Sequence, residues 1–186
     1  MLDWLIRRRI AAFEKTYGYD MSYARELLAS HRKGFWRFAR VQPMADCRDG
    51  VPPEAWYAAK LAAVRAEDCG PCTQLSVDMA REAGIDDAVL RAVLHDDLDA
   101  LSSDTALAVR YTRAAITHAP ELMGLRDDVQ RRWGPRALAS LALSITAVRM
   151  FPMLKYALGH GHACVRVQVG RETIQPPALQ PASAHA

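Results

Sequence analysis

The sequence predicts an all-α fold, a helical bundle with an N-terminal helical arm. Apolar residues recur at helical spacing along most of the 186 residues. Prolines, glycines and capping acids fall between those runs, where helices start and stop. Strand-like alternation is confined to Val165-Arg166-Val167-Gln168-Val169, which suits a short strand or an extended arm.

The elements follow in order. Leu2, Ile6, Ile10, Phe13 and Tyr17 give an amphipathic first helix, broken by Tyr17-Gly18-Tyr19-Asp20. Its apolar stripe is expected to pack within a folded oligomer. Ser22 can cap a second helix running to about Arg40 and carrying Tyr23, Leu27, His31, Phe35 and Phe38. Val41 to Pro53 is rich in proline and reads as a loop, with Cys47 and Gly50 inside it. That loop divides the chain into an arm over 1–50, a body over 51–164 and a tail over 165–186.

Pro52-Pro53 start a helix from Glu54 to about Arg65. Its run Ala58 to Val64 holds little charge, so it should be buried on most sides. Pro71 to Ala83 forms the next, closed by Gly84 in a left-handed cap. Asp86 or Asp87 caps a helix to about His95, and Ser103 one to His118. Both histidines then lie at helix C-termini, where they can meet free carbonyls. Pro120 starts a short helix ending near Trp133-Gly134. Pro135 opens the last, reaching Leu158-Gly159, and Pro152 should kink it by leaving the Val148 carbonyl unpaired. Gln175 to Ala186, rich in proline and alanine, is expected to be disordered.

Bulk properties narrow the function classes. A length of 186 residues with 51% hydrophobic content suits one domain with a sizeable core. The net charge of +3 is small, and the tight basic cluster Arg7-Arg8-Arg9 reads as a solvated helix face, so nucleic acid is not an expected partner. No apolar run approaches the ~20 residues of a bilayer span, so no membrane association is expected. The charged start does not resemble a signal peptide, and the expected location is cytoplasmic.

The four cysteines are Cys47, Cys69, Cys72 and Cys164. Cys69-Gly70-Pro71-Cys72 stands at the start of a helix, where unpaired N–H groups and the helix dipole stabilise a thiolate. In a reducing compartment such a pair points to redox chemistry or to metal. A zinc site would draw on His160, His162 and Cys164, but a second C-x-x-C is missing, and no metal or other cofactor is expected. Cys47 and Cys164 read as ordinary unpaired thiols. The Gly-Pro insert also occurs in thioredoxins, but the residues from Trp56 to Ala66 are helical where that fold needs a β-strand.

A helix, then C-x-x-C opening a second helix, then a helix starting at Gly84-Ile85-Asp86-Asp87, resembles the carboxymuconolactone decarboxylase and alkylhydroperoxidase D superfamily. Leu98 to His118 and Arg149 to Gly159 are similar to later helices of that family. The resemblance spans about residues 50 to 162. It implies an AhpD-like helical bundle that forms dimers, trimers or hexamers.

The resemblance further implies a peroxidase whose second cysteine, Cys72, attacks the peroxide while the first, Cys69, resolves it. A thiol reductant system then reduces the disulfide. Ser76 stands where the family has a histidine, and Tyr57 lies near the family's glutamate position. Glu67 is the nearest carboxylate able to act as acid or base, with Glu54 and Lys60 on the preceding helix. Two other functions stay open: a non-enzymatic helical oligomer that binds a small ligand or a protein, and a decarboxylase-like activity on a lactone.

Overall fold

A computed structural model describes residues 2–162 and 166–177, and over them the chain is all-α apart from one small hairpin. The arm comprises α1 (Leu2–Tyr17), α2 (Ser22–Ser30), α3 (Arg32–Phe38) and α4 (Val41–Ala45). The body comprises α5 (Pro53–Arg65), α6 (Gly70–Glu82), α7 (Asp87–His95), α8 (Ser103–Thr117) and α9 (Leu122–Ala157). Strands β1 (Val167–Val169) and β2 (Glu172–Ile174) follow.

The second predicted helix is two. At His31 the backbone leaves helical space, with φ −146° and ψ 70°, and this separates α2 from α3. Asp20 rather than Ser22 serves the start of α2, accepting the Ser22 N–H at 2.9 Å. The segment expected as a loop after Arg40 contains α4, whose Val41 and Ala45 are buried. Ser102, not Ser103, caps α8: its hydroxyl accepts the Thr105 N–H at 3.3 Å. Asp86 caps α7 through the Ala88 N–H at 2.7 Å.

The last two predicted helices meet within α9 at Gly134, whose non-helical dihedrals separate a helix ending at Trp133 from one opening at Pro135. Gly134 holds φ 89°, a left-handed value that suits glycine. The non-helical dihedrals of α9 occur there and not at Pro152.

α5 is the central element. It packs against α6, α7, α8 and α9. Small residues permit this approach from several sides: Ala55, Ala58, Ala59 and Ala63 are fully buried, as is Leu61. The core therefore divides around it. One part joins the arm to α5, α8 and α9. The other joins α5 to α6, α7 and the hairpin.

The hairpin pairs Val167 with Ile174 and Val169 with Glu172. Val167, Val169 and Ile174 are buried, so this part of the tail belongs to the core. Gln74 on α6 fixes it, accepting the Gln168 N–H at 2.7 Å and donating to the Gln168 carbonyl at 3.0 Å. The expected alternation is thus a strand from Val167, while Val165 lies outside the described residues, as do 178–186 of the expected disordered segment.

A buried latch holds α5, α7 and the tail together. Arg65, 5% exposed, donates to the Asp96 carboxylate at 2.7 and 3.1 Å, to the Val93 carbonyl at 3.1 Å and to the Pro177 carbonyl at 2.9 Å. Burial alone would push the Asp96 carboxyl up. The hydrogen bond and charge of Arg65, with Arg113 beside them, hold it below its ordinary value.

One expectation about hydropathy is corrected. By length and composition α9 is apolar enough to cross a bilayer, with a mean hydropathy of 1.6 over its most apolar window. The uncharged run stops at Arg149, but one arginine does not make the window polar. Of that window 44% is buried, and α9 packs on α4, α5 and α8.

Candidate functional site

Cys69 and Cys72 are joined by a disulfide at the start of α6. Their position follows from local sequence. Cys69 is the N-cap in extended backbone, Gly70 and Pro71 occupy the first two helical positions, and Cys72 the third. Pro71 has no N–H to leave unpaired at this site. The Gly70 N–H donates to the His162 carbonyl at 3.1 Å, tying the end of α9 to the cysteine turn. Among the first helical residues, Cys72 is thus in the zone where the dipole favours negative charge.

The two sulfurs have different surroundings. Cys69 is fully buried, whereas Cys72 is 5% exposed and lines a cavity of about 420 Å³. The walls are mostly apolar and come from both halves of the chain. The arm supplies Ile10, Phe13, Tyr19 and Met21, and the body Leu75, Met79 and Phe151. Polar side chains on the wall include Arg9, Gln42, Lys60 and Ser76. A cavity of this size matches small-molecule sites, which span ~300–1,000 Å³.

The Tyr19 hydroxyl lies 3.5 Å from Cys72 Sγ. Burial, and then neighbouring Tyr23, push its phenol far above the ordinary value. Tyr23 is pushed up to about 12, mainly by burial. Both phenols therefore keep their protons at neutral pH. Behind them lies Lys155, fully buried, its ammonium 4.4 Å from the centre of the Tyr19 ring and donating to the Asp20 carbonyl at 3.3 Å. Burial pushes Lys155 down, partly opposed by Asp20.

Lys60 lines the same cavity. Its ammonium sits 3.8 Å over the Trp56 ring and 3.9 Å from the Asp46 carboxylate. Burial lowers it to about 8, with Asp46 opposing. At neutral pH Lys60 is therefore still mostly charged. Ser76, one turn after Cys72, lines the cavity, but its hydroxyl donates to the Cys72 carbonyl at 3.1 Å.

Other sequence-derived candidates are engaged elsewhere. The Glu67 carboxylate is paired with Arg149 and does not line the cavity with Cys72. Glu54 accepts hydrogen bonds from Ser102 and Thr105 and so fastens α5 to the start of α8. Tyr57 packs edge-on against Trp56 and lines a separate surface hollow beside Asp46 and Asp49. Cys47 is a free thiol, 3.4 Å from the Ser140 hydroxyl. His160 contacts the Glu26 carboxylate at 2.6 Å, and Cys164 lies outside the described residues. Among the described residues no group of three or more His, Cys, Asp or Glu side chains could hold a metal ion.

Sequence reasoning missed Tyr19 and Lys155. Tyr19 read as part of a helix break, and nothing singled out Lys155. Its position one turn after Phe151, inside the apolar run, was the available signal. No family model, curated protein or solved structure matches the chain.

Proposed function

We propose that this chain is a thiol-dependent peroxidase of the AhpD-like type, acting on organic hydroperoxides. The observation that carries the reading is the placement of Cys72 on an apolar cavity of about 420 Å³, with the Tyr19 hydroxyl 3.5 Å from its sulfur. Hydrogen peroxide is close to water in size and would leave such a cavity largely empty. A hydroperoxide with an apolar body fills it.

In the reduced protein the charged Lys60 on the same cavity wall favours the Cys72 thiolate, whose proton goes to solvent. The thiolate attacks the distal peroxide oxygen. An S–O bond forms as the O–O bond breaks, and the leaving alkoxide takes a proton from Tyr19, which regains one from solvent. Cys72 is then a sulfenic acid. The Cys69 thiolate attacks that sulfur, hydroxide leaves and becomes water, and the disulfide results. A cytoplasmic dithiol reductant returns the pair to thiols by exchange through a mixed disulfide.

The test is consumption of cumene hydroperoxide with dithiothreitol as reductant. The wild type turns over. Cys72→Ser is inactive at every peroxide concentration. Cys69→Ser consumes about one equivalent and then slows, because its sulfenic acid lacks the internal partner. Equal rates in all three proteins reject the proposal. A second reading draws on the same apolar cavity: a helical oligomer that stores a small ligand. It gains if the reduced thiols survive the peroxide.

A further inference from the structure

Lys155 is a fully buried cation beside the thiol site. It stands in the last turn of α9, where a lysine ordinarily reaches solvent and meets the C-terminal carbonyls. This one turns inward. Val148, Phe151, Pro152 and Lys155 follow at helical spacing along one face of α9. The first three line the thiol cavity, and Lys155 packs against the Tyr19 ring that forms part of its wall. We infer, on the peroxidase reading of Cys72, that Lys155 is a positioning residue for that reaction, whose ammonium stabilises the phenolate formed as Tyr19 protonates the leaving alkoxide.

The surroundings of the ammonium select this role. A buried charge is costly unless it is paired, and a carboxylate is the usual partner. Lys155 is met instead by one carbonyl and two aromatic rings. It donates to the Asp20 carbonyl at 3.3 Å, and its ammonium lies 4.4 Å from the centre of the Tyr19 ring and 6.0 Å from that of Tyr23. Ring faces and a carbonyl suit an ammonium better than a neutral amine. The Asp20 carboxylate, which accepts from the Ser22 N–H and hydroxyl, supports the charged form through space.

Tyr19 is the group that gains from this cation. Its hydroxyl lies 3.5 Å from Cys72 Sγ, so it is at hand when the O–O bond breaks there. Tyr19 is only 4% exposed, and water does little to solvate the anion it becomes on giving up its proton. The charge of a phenolate spreads into the ring, towards Lys155. A neutral phenol meets the same cation only through its quadrupole. The attraction therefore grows as the proton leaves. An interaction that is stronger in the transition state than in the ground state lowers the barrier. The two lysines thus divide the work: Lys60 favours the attacking thiolate, and Lys155 the acid that serves the leaving group.

Two oxidants separate this role from a structural one. Cumene hydroperoxide expels an alkoxide, which must be protonated, whereas peracetic acid expels acetate, which needs no proton. Single-turnover oxidation of the reduced full chain is followed by alkylation and mass spectrometry of the Cys72 peptide. Lys155→Met is expected to slow the reaction with cumene hydroperoxide ~10-fold or more, and that with peracetic acid by less than about twofold. Lys155→Arg keeps the cation and should recover most of the cumene hydroperoxide rate. The double variant Tyr19→Phe/Lys155→Met should be no slower than Tyr19→Phe alone, since a phenylalanine ring forms no anion to stabilise. Equal slowing of Lys155→Met with both oxidants overturns the inference and leaves the peroxidase reading standing. So do losses that add in the double variant, or a Lys155→Arg as slow as Lys155→Met. A wild type inert to both oxidants removes the peroxidase reading, and this inference with it.

Discussion

Lys60 is the residue at which stability and activity pull apart. Its proton is held at about 8 in the folded chain against 10.5 in an ordinary lysine. Below pH 8 the ammonium is charged in both folded and unfolded states, and burial penalises the folded one. Between about 8 and 10.5 the folded chain has lost that proton while the unfolded chain retains it, so stability rises with pH across this window. At ~1.4 kcal/mol per pKa unit the penalty is about 3 kcal/mol.

Lys60→Met is therefore expected to raise stability at pH 7 by up to ~3 kcal/mol in urea unfolding. It should at the same time lower peroxidase turnover ~10-fold, because the charge that favours the Cys72 thiolate is gone. The wild-type rate should fall above about pH 8, as Lys60 loses its charge, and the variant should lack that limb. A variant both less stable and fully active would contradict this role.

Tyr19 permits a cleaner substitution. Tyr19→Phe keeps the ring that Lys155 faces and removes the hydroxyl 3.5 Å from Cys72. Single-turnover oxidation of the reduced protein is expected to slow ~10-fold or more, in the range of one lost general acid. Binding of a non-reactive alcohol analogue should change little. Unaltered oxidation would remove Tyr19 from the chemistry.

At the scale of elements, α1 and α6 build the site from distant parts of the sequence. Phe13 on α1 and Leu75 on α6 share the cavity wall. Phe13→Ala should enlarge the cavity and raise KM for cumene hydroperoxide several-fold while leaving hydrogen peroxide turnover unchanged. Equal effects on both peroxides would mean that the arm only stabilises the fold.

The local signals in the sequence were strong for α5, α6 and α7, where Pro53, Pro71, Asp86 and Gly84 mark ends chemically. They were weak at His31, whose non-helical backbone has no glycine or proline to announce it. The pairing of Glu67 with Arg149 joins residues 82 positions apart, and periodicity carries no information on such a contact. The cavity was invisible for the same reason, since arm and body meet there only in three dimensions.

At the scale of the whole molecule, the Arg65 latch joins α5, α7 and the tail. Asp96→Ala would leave the Arg65 guanidinium buried without its carboxylate. Removing one partner of a fully buried pair costs ~3–5 kcal/mol. Asp96 is 36% exposed, so water offsets part of this and roughly 2–3 kcal/mol is expected in chemical denaturation. Because the Asp96 carboxyl is held below its ordinary value, its contribution is present at neutral pH and is lost as acid protonates it. The wild type should therefore lose stability below about pH 4 more steeply than the variant.

The central claim is that Cys72, and not Cys69, meets the peroxide. Dimedone trapping followed by peptide mass spectrometry tests it most directly, using reduced Cys69→Ser and Cys72→Ser treated with one equivalent of cumene hydroperoxide. Stoichiometric sulfenic acid adduct is expected on Cys72 in the first variant and none on Cys69 in the second. An adduct on Cys69, or no adduct on Cys72, would contradict it.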